Sequence, residues 1–405
     1  MIDERPHLLF VTHRVPFPPD KGDRIRTYHL LRFLSVRARV HLATLADEPI
    51  PPESRSTLQS LCEQVCILPV KGMSRVRHGL TSLISGGAIS EGMFFSRELH
   101  RTIRRWTKEI PFTAGIASAS SVASYLNPLM DQGKRTVVDL VDVDSEKWLE
   151  YAEKSAFPKS RLYRLEGHRL RRVETKLAQS ADAVTLVSEA EVNLFRQRVS
   201  STRVHAVTNG VDLDYFQPQE FREPRRGCVF VGAMDYRPNV DAVVWFVREI
   251  WPQIRERFPE HPFRIVGRNP TSEVLNLRAI PGVEVIGTVP DVREFVTRAA
   301  VSVAPLRIAR GLQNKVLEAM AMGAAVVASP QALAGFRPHS NVPARVATLP
   351  AEWVMEISRF LTNPADRSEA GQAGRAYAER YHHWEACLEP LAELLQLPQP
   401  AGVMA

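Results

Sequence analysis

Short, almost wholly apolar runs recur along this chain, and each is followed by a stretch whose apolar residues fall at helical spacing. HLLFVTH (7–13), ARVHLATL (38–45), TAGIASAS (113–120), RTVVDLVDVD (135–144) and DAVTLVS (182–188) form a first series. GCVFVGAM (227–234), PFRIVGR (262–268), VEVIGTV (283–289), AVSVAPL (300–306) and AAVVAS (324–329) form a second. A strand that is apolar along its length has both faces covered, and strands alternating with helices build a parallel sheet between helical layers. The pattern restarts after a polar stretch, 207–226, which contains Asn-Gly and two prolines and reads as a linker. The expected fold is α/β: two doubly wound, Rossmann-like domains, 1–206 and 227–374, facing each other across a cleft. Such sheets bind ligands beyond the carboxyl ends of their strands, so the chemistry is expected on residues just after strands. Residues 239–258 read as one long amphipathic helix. Residues 375–397 read as another, with Trp384, Leu388, Leu391 and Leu394 on one face, and periodicity leaves open which domain it docks on.

Composition fits this reading. A chain of 405 residues exceeds the size at which a single core stops growing, about 250 to 300 residues. The 52 Lys and Arg against 45 Asp and Glu leave +7, which suits a nucleic acid, an anionic membrane or a phosphorylated ligand without choosing among them. Cys62, Cys66, Cys228 and Cys387 make no metal-spaced pairs and read as reduced thiols, and His382-His383 reads as surface. The start, MIDERPHLLFV, has acids where a signal peptide carries positive charge, and no apolar run approaches the ~18 residues that span a bilayer. The expectation is a cytoplasmic protein, at most attached to a membrane from inside.

The segment ARGLQNKVLEAMAMGAAVVAS (309–329) carries the clearest chemistry. It reads as a loop at a strand's carboxyl end, then a helix closed by Gly323, then a buried strand. Amides of Leu312, Gln313, Asn314 and Lys315 at the helix start, with the macrodipole behind them, favour an anion. Gly311 lets a ligand approach the backbone, and Lys315 supplies a point charge for a phosphate oxygen. Glu318, a turn later on the same face, can accept hydrogen bonds from the two hydroxyls of a ribose. Spacing alone fits equally a helix whose polar face meets water. Two further loops, FVGAMDYRPN with Gly232 and Arg237, and IVGRNP with Arg268, also follow strands. Three cations at the ends of strands in one sheet would converge on one rim as a diphosphate clamp.

The linker VTNGVDLDYFQP, the FVGAM…RPN loop, IVGRNP, VEVIGTVPDV and KVLEAMAMGAAVVAS occur in the order found in GT-B glycosyltransferases of family 4, which this chain resembles. With FVTHRVPFPPDKGDRIRTYHLLRFL and DLVDVDSEKW, the whole chain is similar to the sugar transferases found with bacterial exosortase/PEP-CTERM exopolysaccharide systems. The resemblance implies a retaining hexosyltransferase with its acceptor on the first domain and a nucleotide diphosphate-sugar on the second. It also implies a ribose contact at Glu318, a diphosphate gripped by Arg237 or Arg268 with Lys315, and a donor-approaching glycine at Gly22. The last helix, 375–405, is implied to cross back to the first domain. Two positions depart from the family: Arg310 stands where a first glutamate usually faces the donor sugar, and Asp142 stands near the usual histidine. Both are candidate catalytic positions here.

Asp139, Asp142 and Asp144 in DLVDVDS can bind a metal, act as a base, or form a polar turn capping a helix from Ser145. In the cleft reading Asp142 and Asp144 face the acceptor and Asp139 lies within the strand. Segments 71–110 and 161–176 are rich in Lys and Arg and can hold the first domain against anionic lipid, where lipid-linked acceptors reside. No recognised nucleic-acid module is present. The leading expectation is a glycosyltransferase acting on a lipid-linked or glycan acceptor, without a cofactor or essential metal. A nucleotide-sugar epimerase or hydrolase on the same fold, and a non-catalytic nucleotide-binding protein, are the alternatives.

Overall fold

The computed structural model describes residues 4–70, 72–220, 223–336 and 342–400. Lys71 of the basic segment therefore lies outside the described residues. Two compact units emerge: Met1–Val207 with Leu388–Ala405, and Thr208–Cys387.

The first unit holds a seven-stranded parallel sheet. Its strands are β1 (His7–Thr12), β2 (Arg39–Ala46), β3 (Gln64–Pro69), β4 (Phe112–Ser118), β5 (Arg135–Val141), β6 (Ala183–Leu186) and β7 (Val204–Ala206). Their spatial order is β3-β2-β1-β4-β5-β6-β7, so the winding reverses between β1 and β4. Leu8, Leu9, Phe10 and Val11 are wholly buried, as a strand covered on both faces requires. The helix Gly22–Ser35 buries Arg26 against the sheet. Arg26 forks onto Asp139 of β5 at 2.8 and 2.7 Å, and Thr185 of β6 donates to the same carboxylate at 2.8 Å. Asp139 is thus a strand residue that holds a helix to the sheet.

The second unit holds six parallel strands: β8 (Cys228–Val231), β9 (Phe263–Val266), β10 (Val283–Gly287), β11 (Val301–Ala304), β12 (Val326–Ala328) and β13 (Arg345–Val346). The order β10-β9-β8-β11-β12-β13 reverses between β8 and β11. The long helix expected over 239–258 is instead two, Arg237–Glu249 and Trp251–Arg257. Pro252 has no N–H to continue the ladder and its ring collides with the preceding turn, so the chain bends at Ile250. Phe246 and Trp251, one from each piece, pack on Phe263 with ring centroids 4.6 and 5.7 Å away.

The terminal helical pattern is likewise broken, into Pro364–Tyr381 and Trp384–Leu395. Between them His382 leaves helical geometry and is completely buried, correcting its reading as a surface residue. Its Nδ1 meets the Asn209 carbonyl at 2.9 Å, and its ring lies against Tyr377 and Phe336. Val211 bridges to His383, and Gly210 lies so close to Trp384 that a Cβ there would sit 2.7 Å from the Trp384 nitrogen. The start of the supposed linker is therefore built into the second unit. The helix Trp384–Leu395 begins in that unit and ends in the first. There Glu389 pairs with Arg37 at 2.9 Å and the Leu394 carbonyl accepts from Arg135 at 2.8 Å.

Candidate active site

Three loops meet at the reversal point of the second sheet. Gly232 N–H donates to the Val266 carbonyl at 3.0 Å, Met234 N–H to the Arg268 carbonyl at 2.8 Å, and Gly267 N–H to the Gly287 carbonyl at 2.9 Å. Gly267 has φ of 149°, and a Cβ there would lie 1.7 Å from the Gly232 carbonyl oxygen, so only glycine permits this lacing. A Cβ on Gly232 would fall 2.7 Å from Asn239 Nδ2 and 3.1 Å from Lys315 Nζ. Asn239, buried in the helix Arg237–Glu249, donates through Nδ2 to the Ala233 carbonyl at 2.9 Å. Its Oδ1 accepts from Lys315 Nζ at 2.5 Å, and the ammonium stands 4.4 Å from the Phe230 ring centroid.

Lys315 and Glu318 lie on the helix Asn314–Ala321, which follows β11 and whose first turn is capped by no side chain. Neither is a solvated face residue. Burial lowers Lys315 to about 7, partly offset by Glu318, and burial raises Glu318 to about 7, partly offset by Lys315. A half-buried cation and a half-buried anion, each penalised for its own charge, form a site that a ligand of mixed character can complete. The loop before the helix is built around Gly311, at φ of 60°, with buried Leu312 and with Gln313 Nε2 donating to the Arg310 carbonyl at 2.9 Å. Tyr215 lies near enough for the charge of Glu318 to reach its hydroxyl. The Arg293 guanidinium covers the Tyr215 ring at 3.7 Å and donates to the Tyr215 carbonyl at 2.8 Å.

The other cations lie on the neighbouring loops or directly after them. Arg237 is exposed and is the first residue of its helix, because Pro238 is pre-organised for a first turn. It lines a cleft of ≈650 Å³ with Asp235, Asp241, Trp245, Glu273 and Arg307, and neither Lys315 nor Glu318 lines that cleft. Arg268 is half-buried, and its carbonyl, not only its charge, serves the loop through Met234. Arg310 is half-buried in the loop before the Lys315 helix.

In the first unit, β5 ends on Val141 at φ of 69°, a strained geometry for a β-branched residue. It delivers Asp142, whose Oδ1 is sealed from water without a hydrogen-bond partner. Burial pushes the Asp142 carboxyl up to about 7, and the neighbouring Glu191 adds to the shift. Glu191 accepts from Val143 N–H at 2.7 Å, and Glu174 accepts from Ser145 N–H at 2.9 Å, fixing the turn from the adjoining helices Glu189–Arg196 and Lys159–Ser180. The helix here starts at Asp144 with Val143 at its cap, so the aspartates do not cap it, and Asp144 lies 4.0 Å from Lys147. Among the described residues no group of three or more His, Cys, Asp and Glu is placed to hold a metal. Gly22 is exposed with open space around it.

Sequence reasoning passed over the residues at the carboxyl end of β1. His13 lies 3.3 Å from Asp23 through Nε2 and 3.3 Å from the Ser118 carbonyl through Nδ1, so it sits where the first sheet reverses. Arg14 bonds Asp23 at 2.8 Å and Asp47 at 2.9 Å. Burial opposes ionisation of Asp23, yet His13 and Arg14 together hold it far below the carboxylate range. The sequence signal was present, a histidine directly after a strand and an aspartate beside Gly22.

Residues 225–363 match the family described as glycosyl transferases group 1. No curated protein matches the chain. Solved structures match it over nearly its whole length. Sucrose-phosphate synthase from Thermosynechococcus elongatus is 17% identical over 97% of this chain and 98% of its own, with a TM-score of 0.67. HepE of Anabaena, solved in complex with UDP, is 14% identical over 96% and 99%, with a TM-score of 0.68. WaaG, a glycosyltransferase involved in lipopolysaccharide biosynthesis, is 15% identical over 96% and 99%, with a TM-score of 0.65. The likeness is one of fold, the GT-B fold of two doubly wound parallel sheets. With the group 1 domain on its second unit, the protein is a glycosyltransferase of the GT-B type.

Proposed function

We propose that the protein moves a sugar from a nucleoside diphosphate-sugar to a lipid-linked or glycan acceptor in bacterial exopolysaccharide synthesis, with retention of configuration. One observation supports the donor assignment above the others. Lys315 and Glu318, each displaced from its ordinary charge state by burial, stand on an uncapped helix start where the second sheet reverses. The diphosphate restores the Lys315 ammonium, and the ribose hydroxyls donate to the Glu318 carboxylate. As the bond from sugar to diphosphate lengthens, negative charge grows on the leaving phosphate. In this reading the ammonium and the helix amides meet that charge, and a fixed set of donors stabilises it with little reorganisation. HepE, with its bound UDP, favours a uridine nucleotide among the donors to try first.

Asp142, and Asp144 beyond it, are assigned to the acceptor side in this reading, and Arg310 to the donor sugar or the diphosphate. The finer context, an exosortase/PEP-CTERM system and peripheral attachment to the inner face of a membrane, rests on the motif resemblance and on the basic helices. Among the described residues no helix is long and apolar enough to cross a membrane. No essential metal is proposed, because the Lys315 ammonium and the helix start can neutralise the diphosphate.

Incubation with a panel of nucleotide sugars and lipid-linked acceptors tests the proposal. Acceptor-dependent release of nucleotide, persisting in EDTA, is the expected result. Acceptor-independent conversion of the donor would point to an epimerase or hydrolase, and binding without turnover to a non-catalytic protein. Loss of turnover in EDTA with rescue by magnesium would overturn the metal-free reading.

A further inference from the structure

Among the amphipathic helices of the first unit, Gly72–Ile84 is turned inside out. The nearby helix Arg97–Glu109 follows the usual rule, burying Leu99, Ile103 and Trp106 and leaving its arginines outside. In Gly72–Ile84 only Gly79 is buried, seated against Ile89 and Met93. The apolar stripe at helical spacing points away from the protein: Met73 is 82% exposed, Val76 58%, Leu80 53% and Ile84 87%. Four large apolar side chains on one open helix face are a surface that meets something other than water.

The surroundings say what. Residues 72–84 contain no acid, and Arg77 among them is exposed. The end of the helix is tied to Lys159–Ser180, where Arg169 donates to the Leu83 and Gly87 carbonyls at 2.8 and 2.7 Å. That second helix and the turn before it expose Phe157, Leu162 and Leu165 together with Lys159, Arg161 and Arg164. The single acid between 154 and 172, Glu166, is buried and caps Ile89 and Ser90. Exposed apolar side chains beside exposed cations, on two connected segments (72–84 and 154–172) that expose no acid, match the interface of a bilayer carrying anionic lipid.

We infer that Gly72–Ile84 lies in the interface of an anionic membrane, with Met73, Val76, Leu80 and Ile84 buried among the acyl chains and Arg77, Lys159, Arg161 and Arg164 on the headgroups. This differs from a purely electrostatic attachment through the basic segments, and it deepens the proposed function, on whose lipid-linked acceptor its purpose rests. The helix is also connected to the carboxyl end of β1. Arg75 bonds Asp47 at 3.2 Å, Asp47 bonds Arg14, and Arg14 bonds Asp23, the partner of His13. A membrane-seated helix would thus hold the end of β1 at a fixed place relative to the lipid surface.

Flotation of the full chain with phosphatidylcholine vesicles, with and without ~30% phosphatidylglycerol, tests this. The wild type is expected to float with the anionic vesicles. The double variant Leu80→Asp, Ile84→Asp, with an unchanged melting profile, is expected to lose at least about tenfold in partitioning. The triple variant Lys159→Ala, Arg161→Ala, Arg164→Ala is expected to bind more weakly and with less dependence on salt. Wild-type protein that stays with the soluble fraction overturns the inference, as does a double variant that floats as well as wild type. Self-association that the double variant abolishes, without vesicle binding, would give the stripe to a second copy of the chain and also overturn it. Nucleotide binding by the same samples is read separately, so failure here is distinguishable from failure of the donor site.

Discussion

Replacing Glu318 by alanine removes the one carboxylate on the Lys315 helix that faces the candidate donor site. Hydrogen bonds to a charged partner contribute about 1.5 to 3 kcal/mol each, and leaving the buried ribose hydroxyls unpaired places the loss in that range. At 1.4 kcal/mol per tenfold, affinity for UDP should fall by roughly 10- to 150-fold. A second effect has a definite sign. Glu318 is what raises Lys315 against the lowering caused by burial, so without it Lys315 deprotonates more readily and the loss should grow above pH 7. In the wild type both groups titrate near 7, while the complex requires carboxylate and ammonium together. UDP binding should therefore release protons below pH 7, from Glu318 in addition to the UDP terminal phosphate, and take them up above it, onto Lys315. Calorimetry in buffers of different ionisation enthalpy reads both the affinity and the proton count. A folded Glu318→Ala protein with wild-type affinity would refute the reasoning, as would wild-type binding with no proton linkage on either side of neutrality.

Three other outcomes follow from single contacts. Gly232→Ala places a methyl group 2.7 Å from Asn239 Nδ2 and 3.1 Å from Lys315 Nζ, so it should displace these two side chains and weaken nucleotide binding with little change in melting; unchanged affinity would count against a role for this loop in donor binding. Arg26→Met strands the Asp139 carboxylate and should cost about 3 to 5 kcal/mol in urea unfolding, where a loss below ~1 kcal/mol would contradict the buried pair. His41 is buried between His7, Trp106 and Phe112, and burial followed by the His7 charge lowers it to about 4. A depressed histidine favours the neutral form in the fold, so its contribution is complete above pH 6.5 and is lost as pH falls toward 4. The loss should be about 2 kcal/mol between pH 7 and 4.5. Equal pH dependence in wild type and His41→Phe would rule out His41 as its source.

The sequence made the two sheets legible because buried parallel strands announce themselves as continuous apolar runs, and it singled out Lys315 and Glu318 because they open the helix that follows one across a loop. What escaped it depended on distance along the chain. The ring of His13 is held by Ser118, 105 positions away, and His382 is buried by Asn209, 173 positions away. β3 was passed over although Val65, Cys66, Ile67 and Leu68 form a short apolar run; it is an edge strand whose residues are only half-buried, so the run is brief and flanked by polar positions. Arg237 was misplaced by one structural step, since a proline that reads as the end of a loop also fits the first turn of a helix. The apolar face of Gly72–Ile84 was hidden by its charges. Spacing shows that a stripe exists, and only the structure shows that it faces outward.

The central claim is that the nucleoside diphosphate rests on the helix start at the reversal of the second sheet. A crystal structure of the full chain with saturating UDP tests it most directly. The account expects a phosphate oxygen about 3 Å from Lys315 Nζ and the ribose hydroxyls at hydrogen-bonding distance from Glu318. UDP held instead in the cleft of Asp235, Arg237 and Arg307, with nothing at the Lys315 helix, would contradict it.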